Sequence, residues 1–134
     1  MLHICMPKVF RLSEQHLIRA EARANQKNYS GASKDLSDLR RARFQGGNGT
    51  ISVSEQNWLE IIEEERVREL YMEGFRLQDL KRWHKGFERK PQEQSLTNGS
   101  SLKIEADDVR FVWPIPKHEL ESPGSQIQPN ESNK

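Results

Sequence analysis

The chain has 134 residues, of which 34% are apolar and 31% charged, and a formal net charge of +1. That length suits one small domain, and the near-zero charge gives no overall pull toward nucleic acid or anionic lipid. A single cysteine, Cys5, excludes an intrachain disulfide framework and a cysteine zinc site, and no apolar run is long enough to cross a membrane.

Residues 1–12 read as extended, because Pro7 disfavours a helix start. They hold no charged segment ahead of an apolar one, so they are not a secretory signal. Cys5 follows only four residues, with bulky Ile4 just ahead, and reads as a plain thiol rather than a lipid anchor. Residues 12–44 read as a helical hairpin. Ser13 is the predicted cap of its first helix and Glu14 suits the first turn. Leu17, Ala20 and Ala24, flanked by Ile18, mark an apolar stripe that ends near Asn28. Ala32, Leu36, Leu39 and Arg43 share one face of the second helix. The very short turn between the two requires them to lie antiparallel.

"QGGNGT", residues 45–50, is a turn by composition, and 51–53 a short extended piece. A long helix is predicted over residues 54–85, opened by Ser54 or by the capping-box pair Ser52 and Glu55. Gly74 is its weak point, where the helix breaks or kinks. Residues 88–108 read as a polar loop. Over 109–113, Val109, Phe111 and Trp113 alternate, predicting a short strand. "WPIP" then fixes an extended path, and Pro116 opens one helical turn through Leu120. Residues 122–134 read as an extended or mobile tail. Asn-x-Ser/Thr triplets begin at Asn28, Asn48, Asn98 and Asn130, a number expected by chance in a chain rich in Asn and Ser.

The stretch "EEERVRELYMEGFRLQDLKRW", residues 63–83, is crowded with charge. On a helical wheel of about 100° per residue, Trp58, Leu59, Ile62, Leu70, Leu77 and Leu80 form the core face. Arg66, Glu69 and Glu73 fall on that face and Arg76 lies at its edge. Buried charges are costly unless paired, so Arg66 is expected to meet Glu69, and Glu73 to meet Arg76, at i+3 spacing. Asp35, Lys34, Arg40 and Arg41 could join this set from the second helix. Catalysis by paired carboxylates needs an acid free of cations, whereas arginines interleave nearly every acid here.

Trp58, Trp83 and Trp113 are expected to pack internally, Trp113 through its strand face, and neither they nor Phe87 is named as a sugar contact. His3, His16, His84 and His118 show no paired metal spacing.

"FRLSEQHLIRAEARA" (residues 10–24), "DLSDLRRAR" (35–43), "EERVRELYMEGFRLQDLKRW" (64–83) and "WPIP" (113–116), in this order and spacing, closely resemble the C-terminal part of the SusD/RagB family. The resemblance implies an all-α fold: a tetratricopeptide-like hairpin and a long helix broken or kinked near Gly74. An irregular C-terminal segment with one short strand completes it. Residues 1–134 would form one C-terminal module. Members of the family are non-enzymatic lipoproteins on the outer face of the outer membrane in Bacteroidota. They bind glycans or other nutrients and act as a lid on a SusC-like, TonB-dependent transporter, without a cofactor. A full member is several times longer, so the chain is expected to be the last part of one. Arg66, Glu69, Glu73, Gly74, Arg76, Asp79 and Leu80 match the family motif as scaffold, and no ligand-binding residue carries over. A free-standing tetratricopeptide-like protein-interaction module is the alternative, but it leaves "WPIP" and the tail unexplained. A hydrolase would need a nucleophile motif, a metal set or a lone perturbed acid.

Overall fold

Two antiparallel helices, α1 (Leu12–Asn25) and α2 (Tyr29–Arg43), open the fold of the computed structural model, which describes residues 10–44, 46, 49–90 and 102–133. The expectations for residues 1–9, including Cys5 and His3, lie outside the described residues. So do those for Asn48 and Asn98, most of the turn at 45–48, and the middle of the loop after residue 88. The chain divides into two compact units, Met1–Gly74 and Phe75–Lys134.

In the first unit, Ser13 is not the cap of α1. The N-cap position is Arg11, with extended backbone and no side-chain cap bond. Ser13 lies buried inside the first turn, and its hydroxyl accepts from the Arg11 guanidinium. The reversal after α1 takes three residues. Lys27 adopts φ +61°, and the amides of Lys27 and Asn28 reach back to the carbonyls of Ala24 and Arg23 at 2.9 and 2.8 Å, closing the helix end. Asn28 Oδ1 then caps α2 by accepting from the Gly31 amide at 2.9 Å. A Cβ on residue 31 would come within 2.8 Å of that same Asn28 side chain, so glycine permits the close cap.

Leu17, Ala20 and Ala24 of α1 and Ala32, Leu36 and Leu39 of α2 are all buried, as their periodicity predicts. Helix α3 (Trp58–Glu69) packs on both, contributing Ile62. Leu17, Leu36 and Ile62 are sealed from solvent, and each such burial stabilises by about 2 kcal/mol. Residues 51–53 lie against α2 and join no sheet among the described residues. Their amides are taken by helix serines: Ile51 donates to Ser37 Oγ at 2.9 Å and Val53 to Ser33 Oγ at 2.8 Å.

The helix predicted over 54–85 is two helices, α3 and α4 (Arg76–Arg82), separated where Gly74 pointed. Gly74 has φ +85° and Met72 φ +64°, conformations that no α-helix contains. The start is also later than Ser54: the Ser54 amide donates to Asn57 Oδ1 at 2.7 Å, and that turn precedes Trp58. Ile62, Leu70 and Leu80 are buried and Trp58 and Leu59 half-buried, but Leu77 is exposed, because the break resets the helical register beyond residue 74.

The second unit joins α4 to a two-stranded antiparallel sheet, β1 (Phe87–Glu88) and β2 (Lys103–Ile104), in the register Phe87 with Ile104 and Glu88 with Lys103. Strand structure therefore occurs at the start of, and within, the span 88–108 read as loop. At Gly86 a Cβ would strike the Ile104 carbonyl and lie 2.8 Å from the Glu105 carbonyl carbon, so the chain entering β1 passes this close to residues 104–105 only on glycine.

Residues 109–113 are not a strand. Val109–Phe111 is a 3-10 turn capped by Asp108, whose Oδ1 accepts from the Arg110 amide at 2.9 Å. Only Phe111 points inward, edge-on to Phe87 at 6.5 Å between ring centres. Trp113, expected to pack internally through a strand face, instead stands 82% exposed. One turn of helix, α5 (Lys117–Leu120), follows Pro116 as expected. The tail is neither wholly extended nor loose. A 3-10 turn at Glu131–Asn133 returns it to the "WPIP" segment, where Asn133 accepts from the Ile115 amide at 3.0 Å and donates to its carbonyl at 2.8 Å. Among the described residues the fold is thus mostly helical with one short two-stranded sheet, the class that the sequence predicts.

Candidate functional site

The charges on the packed faces of α1, α2 and α3 assemble into three carboxylate nodes, each held by arginines from another element. Asp35, on the buried face of α2, is 1% exposed. Arg19 and Arg23 stand one turn apart on α1 and converge on it. Arg19 Nη2 lies 2.7 Å from Oδ1, Arg19 Nε 3.1 Å from Oδ2, and Arg23 Nη1 2.8 Å from Oδ2. Glu65, buried on α3, takes Arg40 of α2 through Nε at 2.9 Å, and Arg68 of its own helix at 2.5 Å. Glu69 receives Arg43 Nε at 3.0 Å together with the Arg11 guanidinium. Arg11 also reaches the Glu69 backbone carbonyl and Glu73, the latter at 2.7 Å.

The charged helix is therefore paired, as expected, but Glu69 and Glu73 draw cations from outside it, from Arg11 and Arg43. Spacing along the helix points to Arg66 and Arg76, whereas these two cations come from residue 11 and from α2, which spacing within one helix does not show. Of the motif residues, Arg66, Asp79 and Leu80 are buried, and Asp79 accepts from Arg82 at 3.1 Å. Glu73, Gly74 and Arg76 are exposed. Lys34 lies exposed on α2, and Arg41 pairs with Asp38 at 3.0 Å on the outer side.

Arg11, Arg19, Arg23 and Glu65 escaped the sequence reading, although Arg19 and Arg23 at i, i+4 on a helix facing Asp35 were a usable signal.

Arginine pairing works against acid–base chemistry at Glu69. The guanidinium of Arg43 first, and that of Arg11 with the Ser13 hydroxyl, hold the Glu69 carboxyl down to about 2, against the upward push of burial. Arg11, Arg19, Arg40 and Arg43 are in turn raised by bonds to their carboxylates. A proton donor or base near neutral pH requires the opposite arrangement. Among the described residues no group of three His, Cys, Asp or Glu side chains is placed to hold a metal ion.

Three small clefts lie among the described residues. A cleft of about 230 Å³ between α2 and α3 is walled by Leu39, Phe44 and the paired arginines and glutamates. A second of about 230 Å³ lies on the outer face of α1, by Gln15, His16 and Ile18. A third, also about 230 Å³, lies in the second unit between Val109, Val112, Asn130, Glu131 and Ser132. Each falls below the roughly 300–1,000 Å³ of common small-molecule pockets.

A family model described as SusD family, SusD_RagB, matches residues 5–131. No curated protein and no solved structure matches the chain significantly. The family match spans the hairpin, the charged helix with its break at Gly74, and the clipped C-terminal segment, and by it the chain belongs to the SusD family.

Proposed function

We propose that the chain is the C-terminal scaffold of a non-enzymatic glycan- or nutrient-binding protein on the external face of an outer membrane. There it works with a SusC-like, TonB-dependent transporter. The family match over residues 5–131 carries this reading. Membership supports glycan or nutrient binding in general and association with the outer membrane. No described helix is long and apolar enough to cross a membrane.

The arginine-saturated nodes support a scaffold role. Arg66, Glu69, Glu73, Gly74, Arg76, Asp79 and Leu80 serve as scaffold, and Glu69, its carboxyl held down to about 2 by Arg43 and Arg11, is unsuited to exchange a proton near neutral pH. Two compact units then act together as one module.

The test mixes the purified protein with a panel of labelled oligosaccharides and follows retention and release of new reducing ends. Retention without release is expected. Release of reducing ends would overturn the non-enzymatic reading, and retention of no sugar would overturn the glycan reading. Capture of a TonB-dependent barrel from detergent-solubilised outer membranes tests the partner.

A further inference from the structure

We propose that the Trp113 indole is a stacking platform for a neutral pyranose ring, held outward by a clip formed from residues 130–133. The proposal rests on the glycan-binding reading above and names a contact for it.

An exposed tryptophan on a loose chain would signify little. Trp113 is exposed on a backbone that is pinned on both sides. Asn130 Nδ2 donates to the Trp113 carbonyl at 2.8 Å. Ser132 Oγ lies 2.5 Å from the Val109 carbonyl and 2.6 Å from that of Val112. Asn133 engages both backbone groups of Ile115, and its Oδ1 also accepts from the Asn130 amide at 3.1 Å. Pro114 and Pro116 remove further backbone freedom. A rigid aromatic with only two side-chain torsions loses little entropy when a ligand covers it.

The setting indicates the ligand. The cleft lined by Val109, Val112, Asn130, Glu131 and Ser132 adjoins this segment, and Asn130 belongs to both cleft and clip. A pyranose offers an apolar C–H face to an indole and hydroxyl donors at its rim. Glu131 is exposed on the cleft and, when ionised, accepts hydrogen bonds only. It suits hydroxyl donors and repels a carboxylated sugar. Arg110, the nearest cation in sequence, is already engaged by Asp108 at 2.7 and 2.8 Å. The site is therefore matched to neutral sugars. The other tryptophans are unsuited: the Arg82 guanidinium sits 4.3 Å over the Trp83 ring, and Trp58 is half-buried.

The experiment titrates the whole chain with neutral and uronic-acid oligosaccharides, read by calorimetry and tryptophan emission. For a neutral sugar, Trp113→Ala should weaken binding about tenfold while Trp113→Phe stays within about threefold, since either aromatic can stack. Both variants should melt with the wild type. Unchanged affinity in Trp113→Ala would overturn the platform and leave the glycan reading standing. A fall in affinity accompanied by a fall in melting temperature would assign Trp113 a structural role and also overturn it. A wild type that binds no sugar would overturn the glycan reading and the platform together.

Discussion

Asp35 is the most enclosed charge among the described residues of the first unit, yet its partners Arg19 and Arg23 keep part of each side chain in water. That asymmetry decides what mutation does. Removing either arginine leaves Asp35 one guanidinium, and the rest of its lone pairs can turn to the survivor. Removing both strands a buried carboxylate, which costs on the order of 3 kcal/mol. Arg19→Ala and Arg23→Ala should each lower the denaturation midpoint slightly, and the double variant by clearly more than their sum. Additive midpoints in urea titrations would show that water replaces both arginines. Glu69 gives a different signature. Its carboxyl is held at about 2 in the folded chain against an ordinary 4.5. A depressed acid stabilises the fold fully above the ordinary value, and that contribution fades as pH falls toward 2. Melting temperature should therefore decline between about pH 4.5 and 2, and Glu69→Gln should flatten the decline. Asp108, also held near 2, by Arg110, shares this window, so the slope should shrink rather than vanish.

The elements show where periodicity carries information and where it stops. The hairpin was legible because two apolar stripes of matching period had to meet across a three-residue turn. The break between α3 and α4 was legible from Gly74, although Met72, also left-handed, gives no such signal in its residue type. Residues 109–113 were misread because Val109, Phe111 and Trp113 alternate over too few positions to separate a strand from a capped turn. The cap came from Asp108, outside the alternating set. The tail was misread for a related reason. It has almost no apolar residues, and its order comes from side-chain amides and hydroxyls that bind backbone groups about 20 residues away. The arginine nodes were half legible: charge on a packed face requires pairing, but the partners depend on helix rotation that one sequence does not specify. Asn133→Ala tests the tail directly. It removes the acceptor for the Ile115 amide and the donor to its carbonyl. A loss of about 1–2 kcal/mol is expected, and the Ile115 amide should lose its protection in hydrogen exchange. Full protection in the variant would mean that the clip is not what orders the segment.

At the scale of the whole molecule, ordered polar nodes sit beside apolar surface left in water. In the first unit Arg11 binds Glu69 and Glu73, and so brings Phe10 and Leu12, its chain neighbours, close to the turn that carries Tyr71 and Met72. All four side chains are largely exposed, Met72 at 85%. Met72 also adopts φ +64°, which costs a residue of its type about 1 kcal/mol or more. Strain and exposed apolar area at one place oppose stability in an isolated chain, and an apolar area of this kind promotes association. Tyr71→Ser combined with Met72→Asn removes most of the apolar area of the turn, and asparagine accepts the left-handed backbone better than methionine. The double variant should bind less of a hydrophobic dye, associate less as concentration rises in light scattering, and melt no lower than the wild type. Dye binding and association that persist at wild-type levels would place the sticky surface elsewhere. A lower melting temperature would mean that Tyr71 or Met72 contributes packing despite its exposure.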